Sequence, residues 1–397
     1  MLSFDGKGCD TESLKASVTG EIDNRRRQLQ ELSLKIHANP ELGFHETKAV
    51  GWLTEYLAEN GFHIERGISG LDTAFRADYG QGKPVIALLA EYDALPEIGH
   101  ACGHNIIAVS ATGAAIACKK AVDACGGTVA VIGTPAEESF GGKAIMAEKG
   151  AFKDIDAALM VHPDTKDAAT AATLACHCLE VEYFGREAHA AGEPEKGINA
   201  LEAMIQSFSA INSLRQHIRS SARIHGIITD GGKAANVVPA HSAANFMVRA
   251  ADEAYLGELK QKVLDCFIGA STASGARLEY RWDEVYYAPV RNNLVLAELF
   301  CHNMQLLGRK IDVKEPSRSF GSTDFGNVSQ LVPGIHPYIA VAPEETRLHT
   351  REFMQAAGSE TAMKALIDAA KALAMTVVDL LAEPANMQRV KEEFRIS

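Results

Sequence analysis

A cysteine and a histidine two positions apart, Cys102 and His104, are the first residues along the chain that could together bind a cation. Thiolate and imidazole are both good ligands for zinc-like ions, and this spacing lets them converge on one ion. A lone Cys-x-His motif is weak evidence, because a buried cysteine beside a histidine that caps a helix gives the same pattern. A nucleophilic thiol at Cys102 is a further alternative.

Two adjacent glutamates, Glu137 and Glu138, strengthen the metal interpretation. They follow the apolar run 128–132, and neighbouring carboxylates repel each other unless a cation or a proton separates them. One glutamate can bind metal while the other takes a proton from a water molecule that the metal activates. A solvated turn is the alternative interpretation. The nearby carboxylates also favour Cys102 as a ligand over Cys102 as a nucleophile.

Two further histidines complete the candidate ligand set. His162 follows the apolar run 157–161, where Pro163 is expected to end a strand, and His349 lies near the end of the chain's last α/β stretch. Each histidine alone is more typical of a structural residue. Together the candidates supply five ligands, enough for two ions about 3.5–4 Å apart if one ligand bridges them. The mixed donor set predicts divalent cofactors, two per subunit, of Zn²⁺, Mn²⁺ or Co²⁺.

The elements that must position these residues alternate between strands and helices. This alternation predicts an α/β domain with a mostly parallel sheet covered by helices, whose ligands gather at the carboxyl ends of the strands. The predicted strands are Thr73–Ala77, Val85–Ala90, Thr128–Gly133 and Ala157–Val161, and the predicted helices between them are Ile106–Lys120 and Gly142–Lys149.

After Pro163 the pattern changes to strand, helix, strand, strand, helix, strand, which predicts a split βαβ sandwich. The α/β pattern resumes from Pro289. We therefore expect a discontinuous metal-binding domain, residues 1–173 and 287–397, interrupted by an inserted α+β sandwich at residues 174–286.

Composition narrows the class of protein. The chain has 397 residues and a net charge of −12, with acidic and basic residues interspersed, so we expect no nucleic-acid partner. No apolar run approaches the roughly 20 residues that span a bilayer, so we expect no membrane segment. The first residues lack a basic start and an apolar core, which predicts a cytoplasmic protein without a secretory signal.

Several ordered motifs along nearly the whole chain resemble the M20 metallopeptidases, in the branch of amidohydrolases with a Cys-Gly-His motif. Within that branch the chain is similar to β-alanyl-lysine-type dipeptidases and aminobenzoyl-glutamate hydrolases. The motifs are Tyr92–Pro96, His100–Asn105, Pro135–Glu138, Gly185–Ala191, Gly231–Pro239 and Gly321–Gly326.

The resemblance implies a role for each candidate residue. The family's metal ligands fall on Cys102, His104, Glu138, His162 and His349, and its general base falls on Glu137. Asp93 matches an aspartate that orients a metal-bound histidine, although Glu91 stands where other branches place that histidine. Asn105 and Ser139-Phe140 also depart from the usual pattern.

The resemblance further implies that the inserted domain is a lid, which pairs with a second copy to form a homodimer or higher oligomer. His189 matches a lid histidine that reaches a neighbouring subunit's site and polarises the scissile carbonyl, and Asn236 matches a residue that holds the substrate's carboxylate.

These observations together predict a metal-dependent hydrolase that cleaves the amide bond of a small N-acyl amino acid or dipeptide, with Glu137 activating water. One alternative is hydrolysis of aminobenzoyl-glutamate or another aromatic amide or amine. Another is a non-catalytic partner of an active homologue, although such a partner has no need of Glu137.

Overall fold

A computed structural model of the protein describes residues 10–139, 141–313 and 321–396. The described residues form two compact units. The first unit contains the residues up to Ala172 and those from Val290 onward, except 321–322. The second unit contains Thr173–Pro289 together with residues 321–322.

The first unit begins with two helices and continues with alternating strands and helices. Asp10 caps the first helix by accepting a hydrogen bond from the Ser13 amide. The elements up to Ala172 are α1 (Thr11–His37), α2 (Thr47–Glu59), β1 (His63–Arg66), β2 (Phe75–Gln81), β3 (Val85–Ala90), α3 (His104–Ala117), α4 (Lys119–Cys125), β4 (Gly127–Gly133), α5 (Gly142–Glu148), β5 (Ala157–Leu159) and β6 (His162–Asp164).

The second unit has the predicted order of strand, helix, strand, strand, helix, strand. Its elements are β7 (Ala175–Phe184), α6 (Ala200–Leu214), β8 (Arg223–Asp230), β9 (His241–Ala250), α7 (Glu253–Ser274) and β10 (Arg277–Trp282). The four strands form an antiparallel sheet in the order β10-β7-β9-β8. Alternate residues of β7, such as Leu179, Val181 and Tyr183, are buried in a core shared with α6 and α7.

The chain enters and leaves the second unit at adjacent points. The amides of Cys176 and Tyr287 each donate a hydrogen bond to the other residue's carbonyl, over 2.8 and 2.9 Å. The first unit then resumes with α8 (Leu294–Leu306), α9 (Phe325–Ser329), β11 (Gly334–Ile335), β12 (Tyr338–Ala340), α10 (Arg351–Ala357), α11 (Glu360–Ala382) and α12 (Pro384–Ile396).

The main sheet of the first unit has six strands in the order β1-β2-β4-β3-β5-β11. Its centre is parallel, because β3 pairs in parallel with both β4 and β5, and β11 extends this parallel part. Ile86 and Leu88 of β3 face the core beneath α1, α3 and α11, whereas Ala87 and Leu89 face the core that contains Met146 and Phe325. The predicted covered and mostly parallel sheet is therefore confirmed.

The predicted strand Ala157–Val161 is wrong at its end. β5 stops at Leu159, and His162 begins β6, which pairs in parallel with β12 as a separate two-stranded sheet. Pro163 lies inside β6 instead of ending a strand. A strand with only one neighbour leaves one edge without backbone pairing, and proline is tolerated at such an edge.

Among the described residues, no single helix is long and apolar enough to cross a membrane. α3 and α4 are long and apolar enough only when they are counted as one segment, and they are bent by 42° relative to each other.

Candidate metal centre

The candidate ligands of the first unit gather where its parallel strands end. β4, β3 and β5 are neighbours in the sheet, and their carboxyl ends lead to Glu137, Asp93 and His162 respectively. The loop after β3 also carries Cys102, and α3 begins at His104. Three segments separated in sequence thus meet at one edge, as expected for an open α/β sheet.

Three of the candidate ligands form the more deeply buried half of this centre. One ligand atom each from Cys102, His104 and His162 lies within 4.8 Å of the other two. The Cys102 Sγ is 3.3 Å from the His162 Nε2, and all three side chains are buried. Burial lowers the pKa of His162 to about 3, so its imidazole is neutral and has a lone pair for a cation.

A second grouping shares Cys102 with the first. One ligand atom each from Cys102, Glu138 and His349 lies within 4.8 Å of the other two, and the His349 Nε2 is 3.5 Å from a Glu138 carboxylate oxygen. His349 has a left-handed backbone, with φ of 60°, and its amide donates to the Ala101 carbonyl over 3.0 Å. A strained conformation of this kind persists only where the surroundings hold it.

Two polar atoms of the centre are buried without a hydrogen-bond partner. They are the His104 Nε2 and the Glu138 Oε1, which lie 3.8 Å apart. Burying unpaired polar atoms is costly, and a cation between an imidazole nitrogen and a carboxylate oxygen satisfies both. The donor set of thiol, imidazole and carboxylate is the one that zinc-like divalent ions prefer. The residues present therefore fit a divalent metal.

Asp93 organises this centre through both of its carboxylate oxygens. Its Oδ1 is 2.9 Å from the His104 Nδ1, and its Oδ2 accepts the Glu138 amide over 3.0 Å. The Asp93 carbonyl is also 2.9 Å from the His104 Nδ1. Burial alone would raise the pKa of Asp93, but His104 outweighs it and lowers that pKa. Asp93 therefore fixes the ring so that its Nε2 faces the metal centre.

Glu137 lies beside the ligands in a region crowded with carboxylates. One ligand atom each from His104, Glu137 and Glu138 lies within 4.8 Å of the other two. Burial raises the pKa of Glu137 well above its ordinary range, and the neighbouring carboxylates of Glu91, Glu138 and Asp324 raise it further. A carboxylate with a raised pKa is a stronger base once it is ionised.

The sequence pattern gives no indication of Lys143, which is fully buried near Glu137. The Lys143 Nζ is 2.6 Å from Glu91 and 2.7 Å from Asp324, and its amide also donates to Asp324 over 2.7 Å. Burial alone would raise the pKa of Glu91, but the Lys143 ammonium outweighs it and lowers that pKa to about 2. Lys143 is thus the cation that permits three carboxylates to lie together in the core.

The two predicted lid residues lie together on the second unit, and both are exposed. His189 forms an isolated bridge with Val237, and the Ala190 amide donates to the Asn236 carbonyl over 3.0 Å. The His189 Nδ1 accepts hydrogen bonds from the Ala191 and Gly192 amides, over 3.2 and 3.0 Å. Because the Nδ1 accepts, a neutral His189 carries its proton on the Nε2, which is left as a donor.

Comparison with known proteins agrees with this arrangement. Residues 87–376 match the model for peptidase family M20/M25/M40. This chain belongs to the M20 peptidase family. It is 36% identical to the Xaa-Arg dipeptidase of Mus musculus, over 97% of this chain and 93% of that protein. It is 29% identical to one of the p-aminobenzoyl-glutamate hydrolase subunits of Escherichia coli (strain K12), over 95% of this chain and 94% of that protein.

The fold is also that of the family. The crystal structure of a dinuclear metal-binding M20 peptidase from Bacillus subtilis matches with a TM-score of 0.69 and 21% identity, covering 90% of this chain and 99% of that one. The predicted family and fold are therefore confirmed. This M20 peptidase is a hydrolase of amide bonds in small substrates, and it uses divalent metal.

Proposed function

We propose that this M20 peptidase cleaves dipeptides, with two divalent ions held by Cys102, His104, Glu138, His162 and His349 and with Glu137 as the general base. The observation that carries the proposal is the sharing of Cys102 between two ligand groupings. His104 and His162 would complete one ion site with Cys102, and Glu138 and His349 would complete the other. Two-metal hydrolases hold their ions about 3.5–4 Å apart, a separation at which one ligand can serve both ions.

In this mechanism the ions, when bound, lower the pKa of water and polarise the scissile carbonyl. Glu137 accepts the proton that the attacking water gives up and later donates it to the leaving amine. Its buried position keeps bulk water from competing for that proton. Asp93, His104 and His162 hold their orientations throughout, because their hydrogen bonds are already made in the protein alone.

His189 is the proposed second source of charge stabilisation. Its Nδ1 accepts from two backbone amides, which leaves the Nε2 as the ring's donor. Such a donor can hydrogen-bond to the oxygen of the scissile carbonyl as negative charge develops on it. Asn236, held next to it by the Ala190 hydrogen bond, is the proposed contact for the substrate's carboxylate.

The proposed substrates are dipeptides whose C-terminal residue is basic. The support is the 36% identity to Xaa-Arg dipeptidase over nearly the full length of both chains. The similarity to the aminobenzoyl-glutamate hydrolase of Escherichia coli makes an aromatic acyl-glutamate the second candidate.

We also propose that the second unit acts as a lid and forms a homodimer. β8 is an edge strand of its sheet, and its side chains Ile227 and Ile228 are exposed by 65% and 40%. An exposed apolar edge strand is a surface on which a second copy can pair. Analytical ultracentrifugation of the purified protein tests this proposal, and a strictly monomeric active enzyme would reject it.

The direct test of function combines metal analysis with a substrate panel. Purified protein is stripped with a chelator, reloaded with Zn²⁺, Mn²⁺ or Co²⁺, and assayed against Xaa-Arg, Xaa-Lys and Xaa-Glu dipeptides, N-acetyl amino acids and aminobenzoyl-glutamate. We expect two ions per chain and preferential cleavage of the basic dipeptides. Preferential cleavage of aminobenzoyl-glutamate would establish the second candidate instead.

The Cys102→Ser variant separates a ligand from a nucleophile. If Cys102 binds metal, the substitution lowers metal content and activity together, and excess metal restores part of the activity. If Cys102 is the nucleophile, metal content stays normal while activity is lost, and an acyl-thioester is detectable by mass spectrometry in the wild type.

A further inference from the structure

Glu46 is a buried carboxylate that the proposed mechanism does not use. It immediately precedes α2, the position from which a short polar side chain commonly accepts a hydrogen bond from the helix's own first amides. Here Glu41 does so instead, accepting from the amides of Lys48 and Ala49 at 3.0 Å. The Glu46 side chain makes no such bond and is fully buried. Its carboxylate is therefore directed away from its own helix.

Glu46 contacts Thr73 and the backbone of the loop that carries the base. Its Oε1 accepts a hydrogen bond from the Ala136 amide at 2.9 Å, across 90 residues of sequence. Ala136 has a φ of 60°, a left-handed conformation that an alanine rarely adopts. This residue immediately precedes Glu137, so its backbone determines the direction in which the base leaves the loop.

The two amides that flank Glu137 are thus each held by a buried carboxylate. Glu46 accepts from Ala136, and Asp93 accepts from Glu138 at 3.0 Å. The loop closes tightly behind them, because a side chain on Gly142 would meet the Pro135 carbonyl oxygen at 1.9 Å. The Ala136 carbonyl accepts a long hydrogen bond, 3.4 Å, from the Gly142 amide.

We infer that Glu46 is a positioning residue for the reaction, which holds the left-handed turn at Ala136 and thereby directs Glu137 toward the metal centre. The inference rests on the proposed role of Glu137 as base. Glu46 itself touches neither substrate nor reacting atoms. Loss of the Glu46 carboxylate would let Ala136 relax toward an ordinary backbone conformation and would displace Glu137. A displacement of about 1 Å can lower the rate 10²-fold.

The test compares two substitutions of similar size. Glu46→Gln keeps an oxygen that accepts the Ala136 amide, whereas Glu46→Met removes the acceptor. We expect E46Q to keep most of the wild-type kcat and E46M to lose about 10–100-fold. Metal content and KM should be unchanged in both, because neither the ligands nor the substrate contacts are altered. E46M that keeps the wild-type kcat would overturn the inference.

A second substitution separates positioning from a general loss of structure. Ala136→Gly removes the Cβ that makes the left-handed turn unfavourable, so the turn needs less support. We expect A136G to restore part of the kcat that E46M loses, and unrestored kcat in the double variant would contradict the inference. If E46M does not fold, Glu46→Asp replaces it in both comparisons, since its shorter side chain withdraws the acceptor.

The same assays distinguish a failed inference from a failed function. Wild-type protein loaded with Zn²⁺, Mn²⁺ or Co²⁺ is assayed in parallel on the dipeptide panel. An active wild type whose E46M and E46D variants are equally active overturns the positioning role alone. A metal-loaded wild type that cleaves nothing overturns both the proposed function and the inference built on it.

Discussion

In the first unit, Asp93, His104 and Lys143 are buried and already paired, whereas His189 and Asn236 of the second unit are exposed. The buried groups are fixed by side-chain hydrogen bonds and ion pairs that exist in the protein alone. Among the exposed groups, Asn236 is held through its backbone carbonyl and His189 through its ring Nδ1, which accepts two backbone amides. The residues of the metal centre are thus oriented in the protein alone, whereas the proposed roles of His189 and Asn236 require a substrate or a partner.

The largest expected effect is on kcat, when the proposed base Glu137 is replaced. Glu137→Gln should keep its metal and lose about 10²–10⁴-fold in kcat, because an amide cannot accept the proton from water. Metal analysis and steady-state kinetics measure both quantities. Glu55→Gln, at an exposed position on α2, is the matched control and should be indistinguishable from wild type. A Glu137→Gln enzyme with most of its kcat would reject the proposed base.

The next effect concerns stability. Lys143→Met should lower the free energy of unfolding by about 3–5 kcal/mol, because it leaves Glu91 and Asp324 buried without their cation. Denaturant unfolding followed by circular dichroism measures the change. A variant as stable as wild type would show that the ion pairs of Lys143 are dispensable for folding. The first unit would then differ less from the second in how its charged groups are fixed.

His189→Ala should bind metal normally and lose about 10²–10³-fold in kcat, the usual cost of removing a donor to a developing oxyanion. If His189 acts across a dimer, mixing this variant with Glu137→Gln creates hybrids in which one site carries both defects and the other none. Activity should then return to at most half of the wild-type value per hybrid. Persistent inactivity after proven exchange of protomers would exclude the trans role.

The smallest expected effect is at an exposed ion pair of the second unit. Arg281 and Glu180 are 2.7 Å apart on neighbouring strands, and both side chains are largely exposed. Arg281→Ala should give no measurable change in the denaturation midpoint, because solvent screens such pairs. A clear loss of stability would mean that this surface is covered in the assembled protein.

Much of the site could be predicted because strand ends are readable in sequence. The predicted strand at Val85–Ala90 has the bounds that the structure gives it, and the predicted strand before Glu137 differs by one residue. Parallel neighbours bring their carboxyl ends together, so the candidate ligands after β3, β4 and β5 had to meet. His349 follows no strand end directly, so its place near the end of the last α/β stretch is weaker evidence for a ligand.

The groups that support the site could not be predicted in the same way. Glu46 acts 90 residues away in sequence, and Lys143 pairs with Asp324 across 181 residues. Both look like ordinary polar positions near a helix start, where charge is common. Contacts between residues so far apart leave no periodic pattern in the sequence. The nearby prolines and glycines indicate only where the chain turns. The predicted end of the strand Ala157–Val161 is wrong for a similar reason, because His162 belongs to a separate strand whose partner, β12, is distant in the chain.

The interruption of the first unit also bears on how the chain folds during synthesis. α11 packs on α1 and α3, so the first unit's largest core stays uncovered until residues 360–382 emerge. At about 5–20 residues per second that delay lasts on the order of tens of seconds. The second unit closes its own ends through Cys176 and Tyr287 and can fold meanwhile. Nascent chains halted before α11 should therefore carry a finished second unit beside an exposed apolar surface that chaperones recognise.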